Sequence, residues 1–142
     1  MDPLTALSVA CNVIDLVSTA ISCGLAVRDI YKSVDGRTRA NAALEKEVDG
    51  MKAVVLLLRE KNSKIKVFTD DEDIQKKVSL CTEAAEQLHR VLEDCRDKSK
   101  TVRGAIKALF LSSVNSDKID DLQKHLVACK DDLRLSIAIA TR

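Results

Sequence analysis

Aromatic side chains are nearly missing from this chain, which holds one Tyr, two Phe and no Trp in 142 residues. A nucleic-acid surface built from it would lack the platforms on which bases stack. Backbone breakers are as scarce. One Pro and four Gly, scattered at 24, 36, 50 and 104, leave no glycine-rich loop to cradle a phosphate. No nucleophile elbow, zinc-binding H-E-x-x-H or calcium loop occurs either. The two histidines, His89 and His125, have no partner at metal-ligand spacing. No catalytic, cofactor-binding or metal-ligating residue is therefore assigned, and the chain is not expected to be an enzyme. Charge of one sign is lacking as well. Lys and Arg number 23 against 22 Asp and Glu, so no bulk basic field draws nucleic acid.

What is present is aliphatic and charged. Hydrophobic residues make up 46% of the chain and charged ones 32%, with Ala, Leu, Val, Lys, Glu and Asp dominant. That mixture predicts an all-α bundle with an aliphatic core. The length suits one domain over residues 1–142. Cys11, Cys23, Cys81, Cys95 and Cys129 are odd in number, contain no C-x-x-C pair and lie at apolar helical positions. They read as reduced thiols of a cytosolic core.

The chain is organised around its first helix, predicted from Asp2 to about Tyr31. Asp2 suits the N-cap and Pro3 the first helical position. Between Pro3 and Val27 the only charge is Asp15. Leu4, Leu7, Cys11, Ile14, Ser18, Ile21 and Leu25 form one apolar row. Val9, Val13, Leu16, Ala20, Cys23 and Val27 form a second on the neighbouring face. So wide a stripe belongs to a helix surrounded by partners, or to one that meets lipid. Its length suffices to span a bilayer. On the insertion scale the strong apolar residues Leu4, Leu7, Val9, Val13, Ile14, Leu16, Val17 and Ile21 contribute roughly −2.5 to −5 kcal/mol. Asp15 near the centre costs about 2.5 to 3.5 kcal/mol, and Ser8, Asn12, Ser18, Thr19 and Ser22 add to that. The sum lies near zero, which argues against a constitutive anchor and leaves conditional insertion open. A secretory signal is not expected, because the basic leading region and a small-residue cleavage site are missing.

Three further long helices follow. The second is predicted over about Arg37–Asn62, with Leu44, Val48, Met51, Val55 and Leu58 as its seam and Val54, Leu56 and Leu57 widening it. A loop over Lys61–Phe68 leads to Thr69-Asp70-Asp71-Glu72, which reads as a capping box with Thr69 as N-cap and Glu72 reaching back. The third helix runs to about Asp97 on Ile74, Val78, Cys81, Ala85, Leu88, Leu92 and Cys95. Val102–Leu111 reads as a short helix and Ser112–Ser116 as a turn. The last helix, from about Asp117, presents Ile119, Leu122, Leu126, Cys129, Leu133, Ile137 and Ala140. The expected architecture is an up-and-down bundle of four long helices plus one short one. The apolar stretch Ser136–Ala140, with no polar tail beyond Arg142, suggests a domain cut from a longer protein.

Two basic runs stand out against the balanced charge. Arg59, Lys61, Lys64 and Lys66 follow the second helix; Lys98, Lys100, Arg103 and Lys107 surround the third connection, next to Arg96. Such residues contribute on the order of 1 kcal/mol each beside an anionic membrane, although solvated helix ends are the default reading.

The opening Met1-Asp2-Pro3-Leu4-Thr5-Ala6-Leu7-Ser8-Val9-Ala10, the block Val27-Arg28-Asp29-Ile30-Tyr31-Lys32-Ser33 and the Asp35-Gly36 break resemble the N-terminal domain of fungal STAND/NLR-like receptors. Asn41 with Leu44-Glu45, and Lys118-Ile119-Asp120-Asp121-Leu122-Gln123-Lys124-His125-Leu126, agree with later blocks of that group. Within it the chain looks most like the HeLo-like domains, relatives of the HeLo domain of the HET-S incompatibility protein. The resemblance implies a helical-bundle effector of regulated cell death, innate immunity and heterokaryon incompatibility. It implies that an upstream signalling protein or C-terminal domain triggers homo-oligomerisation of a cytoplasmic protein. Release of the N-terminal helix at the plasma membrane then permeabilises anionic lipid. Carried onto this sequence, the membrane-inserting segment is Leu4 to about Val27, including Leu7, Val9, Val13, Ile14, Asp15, Leu16, Val17 and Ile21, with Leu25 on the same row. The alternative is a non-lytic oligomerisation or adaptor module of such a receptor. Neither reading calls for a cofactor or for nucleic acid.

Overall fold

The 3.6-residue periodicity resolves into four long helices in a computed structural model that describes residues 3–32, 38–101 and 105–141, with side chains at 6–29, 45–94 and 117–141. They are α1 (Pro3–Lys32), α2 (Thr38–Phe68), α3 (Glu72–Thr101) and α4 (Ala105–Ala140). No strand occurs among the described residues. α1 packs on α2 and α4, and α3 packs on the same two. α1 and α3 also meet across the diagonal, whereas α2 and α4 make no contact among the described residues. Neighbours run antiparallel. Cys23 of α1 faces Gly50 of α2, Ile21 of α1 meets Gln123 of α4, and Ser136 Oγ of α4 donates to Asp73 of α3. The start of α1, the end of α2, the start of α3 and the end of α4 therefore share one pole.

The core is aliphatic, as composition predicts. Met51, Leu58, Ile65, Leu88, Leu92, Ile119, Leu126 and Leu133 are fully buried, with Val13, Val17, Val27 and Val48 among them. Each large side chain removed from water in this way stabilises the fold by roughly 1.5–3 kcal/mol. The predicted seams of α2, α3 and α4 point inward wherever their side chains are described, except that Ala140 at the end of α4 is exposed. Leu56 and Leu57, read as widening the α2 seam, are instead 54% and 44% exposed and face outward.

Three sequence-based boundaries are corrected. Of the short helix expected at Val102–Leu111, residues 102–104 lie outside the described residues and the rest belongs to α4, which runs unbroken from Ala105 through Ser112–Ser116 to Ala140. That segment holds serines and Asn115 but neither Gly nor Pro, so its weak helix propensity is overridden by the long apolar stripe on either side. α2 likewise continues past Asn62 to Phe68, because Ile65 is a fully buried core residue that extends its seam by two turns. The entry to α3 is capped two residues later than a Thr69–Glu72 box would place it. Asp71 Oδ1 accepts from the Asp73 and Ile74 amides at 3.0 and 3.3 Å, while Thr69 Oγ1 accepts only from the Asp71 amide. Asp71→Ala is thus expected to destabilise the domain by about 1 kcal/mol in urea unfolding. Glu72→Ala should change it by no more than a few tenths of a kcal/mol, since its exposed side chain caps no amide and adds only a solvent-screened interaction with the helix dipole.

Candidate functional site

α1 is the most apolar of the four helices, and the way its faces are used differs from the expectation. Its buried face is the second apolar row together with the smallest residues: Ala6, Val9, Ala10, Val13, Val17, Ala20, Cys23, Gly24 and Val27. Nothing on that face exceeds valine in size. The first row, which holds the larger side chains, lies at the edge of the contact. Leu7, Ile14 and Ile21 are half-buried and Leu25 is 39% exposed, with Cys11 in solvent rather than in the core. Leu16 is half-buried against the core. The side chain of Leu4 lies outside the described residues.

The outward face between these rows carries Ser8, Asn12, Asp15, Thr19 and Ser22, all exposed. Two of its hydroxyls are satisfied within the helix. Thr19 Oγ1 donates to the Asp15 carbonyl and Ser22 Oγ to the Ser18 carbonyl, each at 3.1 Å. Back-bonded hydroxyls of this kind need no water partner for their proton, so transfer of this face out of water costs less than its composition suggests. A surface helix in a chain that is 32% charged would ordinarily show Lys and Glu here. Ala6–Asp29 forms a 24-residue stretch long and apolar enough to cross a membrane, with one face buried in the bundle and the opposite one exposed.

α1 is held differently on its two flanks. Toward α2 the contact is close and mostly apolar, with Cys23 facing Gly50 and its thiol, pushed up to about 11 by burial and by Glu47, against the Glu47 side chain. Toward α4 it is polar. Gln123 Nε2 donates to the Ile21 carbonyl at 2.8 Å, and Arg28 pairs with Asp120 at 2.9 Å. The ion pair is about one-third exposed on both sides, so its worth is small. Gln123, by contrast, is only 7% exposed, and its Oε1 has no partner. Nothing in the sequence pattern distinguishes Gln123 from the solvent-facing polar residues beside it. Its buried polar end opposite a glycine is visible only once the helices are packed.

The basic residues do not form one patch. Arg59 is tied to Glu86 at 2.8 Å, and Lys64 to Glu60 at 2.8 Å; the Lys64 ammonium holds the Glu60 carboxyl below its usual range. Lys61 is half-buried and Lys66 exposed. These four lie toward the pole where α1 begins. Lys98 and Lys100 belong to the end of α3 and Lys107 to the start of α4, at the opposite pole. Their side chains, and all of Arg103, lie outside the described residues.

Remaining titratable groups serve the core. Burial pushes the Cys81 thiol up to about 12 and raises that of Cys129, with nearby Asp132 adding to both, so neither is a ready nucleophile. No cluster of His, Cys, Asp and Glu suited to a metal exists among the described residues. His89 is half-buried with Nε2 3.3 Å from Glu93 Oε1. Burial lowers its pKa below the ordinary 6.5; Glu93 opposes the shift, and Lys52 and Arg59 reinforce it. Because the folded state resists protonation more than the unfolded chain, the contribution is intact above about pH 6.5 and is lost as pH falls through that value. The urea midpoint is expected to drop between pH 7.5 and 5.5, and His89→Gln to shrink that drop.

Fold and helix surface together define a class: an all-α four-helix domain whose first helix is its most apolar and turns outward a polar face on which Asp15 is the one charge before Arg28. The chain belongs to the family described as pigment biosynthesis cluster protein PigL N-terminal, whose profile matches residues 2–141, a domain family of fungal gene clusters. No curated protein and no solved structure matches it.

Proposed function

We propose that this domain is a membrane-permeabilising effector of fungal regulated cell death and incompatibility, of the HeLo-like kind that its sequence resembles. The observation that carries the reading is the outward face of α1. A helix long enough to cross a bilayer lies along the bundle with one face in water, and that face carries hydroxyls, an amide and the single charge of Asp15 where several charges would make it permanently soluble. The domain waits in the cytoplasm until an upstream signalling protein or C-terminal domain drives its self-association. α1 then leaves the bundle at the plasma membrane and inserts. Asp15, its one charge before Arg28, must face neighbouring copies or pore water, since a carboxylate is tolerated in a bilayer only there. The near-zero insertion sum suits a switch, because a few kcal/mol from self-association reverses its sign. Lys66 and the neighbouring basic residues at the pole where α1 begins favour anionic lipid. No step calls for enzymatic chemistry or a cofactor.

A second reading, a non-lytic oligomerisation or adaptor module, is favoured by apolar surface elsewhere. Leu56 and Leu57 on α2, and Leu135 and Ile139 on α4, are 44–61% exposed, so a partner helix can dock without α1 moving. Dye release from phosphatidylserine-containing liposomes separates the two. The effector reading expects leakage that rises steeply with protein concentration. Intact liposomes in the presence of folded, cross-linked oligomers would leave the adaptor reading standing.

A further inference from the structure

We infer that the Gln123 carboxamide seated over Gly24 is a clasp that holds α1 in the bundle and sets how readily it is released. Its meaning as a release device rests on the effector reading above, whereas the clasp itself stands on packing alone. Three observations meet at this point of the α1–α4 seam. Gln123 is almost fully buried, and its Nε2 donates to the Ile21 carbonyl. The absence of a side chain at Gly24 is what admits it. A Cβ there would collide with Nε2, lie 2.8 Å from Cδ and sit 3.0 Å from Oε1. The other end of the amide, Oε1, is buried without a partner.

The chemistry of that arrangement is a hold that is specific and shallow. One hydrogen bond fixes α4 against a backbone carbonyl of α1, so the contact reads helix position rather than side-chain identity. A buried acceptor left unsatisfied weighs against the same contact, because desolvation of that oxygen goes uncompensated. An apolar residue at 123 would have avoided the cost. The polar element on the α2 flank is weaker, the Cys23 thiol against the Glu47 side chain, and Arg28–Asp120, one turn further on, is partly solvated. Opening the α1–α4 seam therefore returns the Gln123 amide to water, where both its ends are satisfied. The clasp resists small displacements of α1 and rewards complete release.

Hydrogen exchange in lipid-free buffer tests this with Gly24→Ala, Gln123→Ala and the double variant. Alanine is the better helix former, so without a clasp Gly24→Ala should leave α1 protected or protect it further. The clasp predicts the opposite: exchange across 6–29 rises about tenfold or more in Gly24→Ala, with a smaller change across 74–92 of α3. In the Gln123→Ala background the same glycine substitution should have no effect or slow exchange, because the obstructing amide is gone. If Gly24→Ala alone fails to fold, recovery of folding in the double variant carries the same information. Equal effects of Gly24→Ala in both backgrounds, or increased protection in the native one, would overturn the clasp. Dye release from phosphatidylserine liposomes by the same proteins is scored separately. Faster exchange with intact liposomes upholds the clasp and overturns the effector reading; leakage with unchanged exchange does the reverse.

Discussion

Asp15→Leu is expected to raise the rate of liposome leakage about 100-fold or more while leaving thermal unfolding of the domain nearly unchanged. The asymmetry follows from where Asp15 sits. It is exposed on the outward face of α1, so removing it disturbs no packing, and surface substitutions of this kind stay within about 0.5 kcal/mol. In the bilayer the same carboxylate costs about 2.5–3.5 kcal/mol, and a leucine in its place contributes about −0.3 to −0.6. The difference of roughly 3–4 kcal/mol corresponds to two to three powers of ten in the insertion equilibrium. Asp15→Asn should lie between the two. A variant that leaks no faster than the parent would mean that Asp15 does not restrain insertion.

The second large effect distinguishes the two faces of α1. Val17→Asp should unfold the domain, whereas Ile14→Asp should leave it folded and silence it. Val17 is fully buried in the core. A carboxylate there loses the apolar burial and leaves an unpaired buried charge, for a cost of about 4 kcal/mol or more against a typical domain stability of 5–15 kcal/mol. Ile14 is half-buried at the rim, where the new carboxylate reaches water at a cost of about 1 kcal/mol. Inserted in lipid it becomes a second charge beside Asp15 and costs a further 2.5–3.5 kcal/mol or so, enough to lower leakage about 100-fold. Leu7→Asp and Ile21→Asp should behave like Ile14→Asp. Circular dichroism with urea unfolding reports the fold of each variant and dye release its activity. Equal loss of folding at 14 and 17 would contradict this assignment of faces.

That assignment was the part of α1 least legible in the sequence. The helix is apolar on adjoining rows, so periodicity marks a wide stripe without saying which half faces the core. Size misleads here, because the bundle takes the valines and alanines and leaves Leu7, Ile14 and Leu25 at the edge. α2, α3 and α4 carry charged outer faces, and on them most of the inward seam could be read, down to Cys81 and Cys129, with Leu56, Leu57 and Ala140 the exceptions. Boundaries failed where local signals were degenerate. Thr69-Asp70-Asp71-Glu72 offers several caps in adjacent registers, and only packing selects Asp71. The serines of 112–116 suggest a turn that a continuous stripe overrides. Gln123 was legible only as a polar residue within an amphipathic helix, since its role depends on a glycine 99 positions earlier (123 − 24).

The central claim is that α1 must leave the bundle to act, and a reversible tether tests it most directly. A Cβ at position 50 would lie 3.8 Å from Cys23 Sγ, within reach of a disulfide after a small side-chain adjustment. Gly50→Cys, oxidised to bond with Cys23, ties α1 to α2 about two-thirds of the way along α1. The account predicts that the reduced protein permeabilises phosphatidylserine liposomes, that the oxidised protein does not, and that adding reductant restores leakage. Leakage by the oxidised protein at the reduced rate, with the disulfide verified by mass, would contradict it, and so would silence of the folded protein in both states.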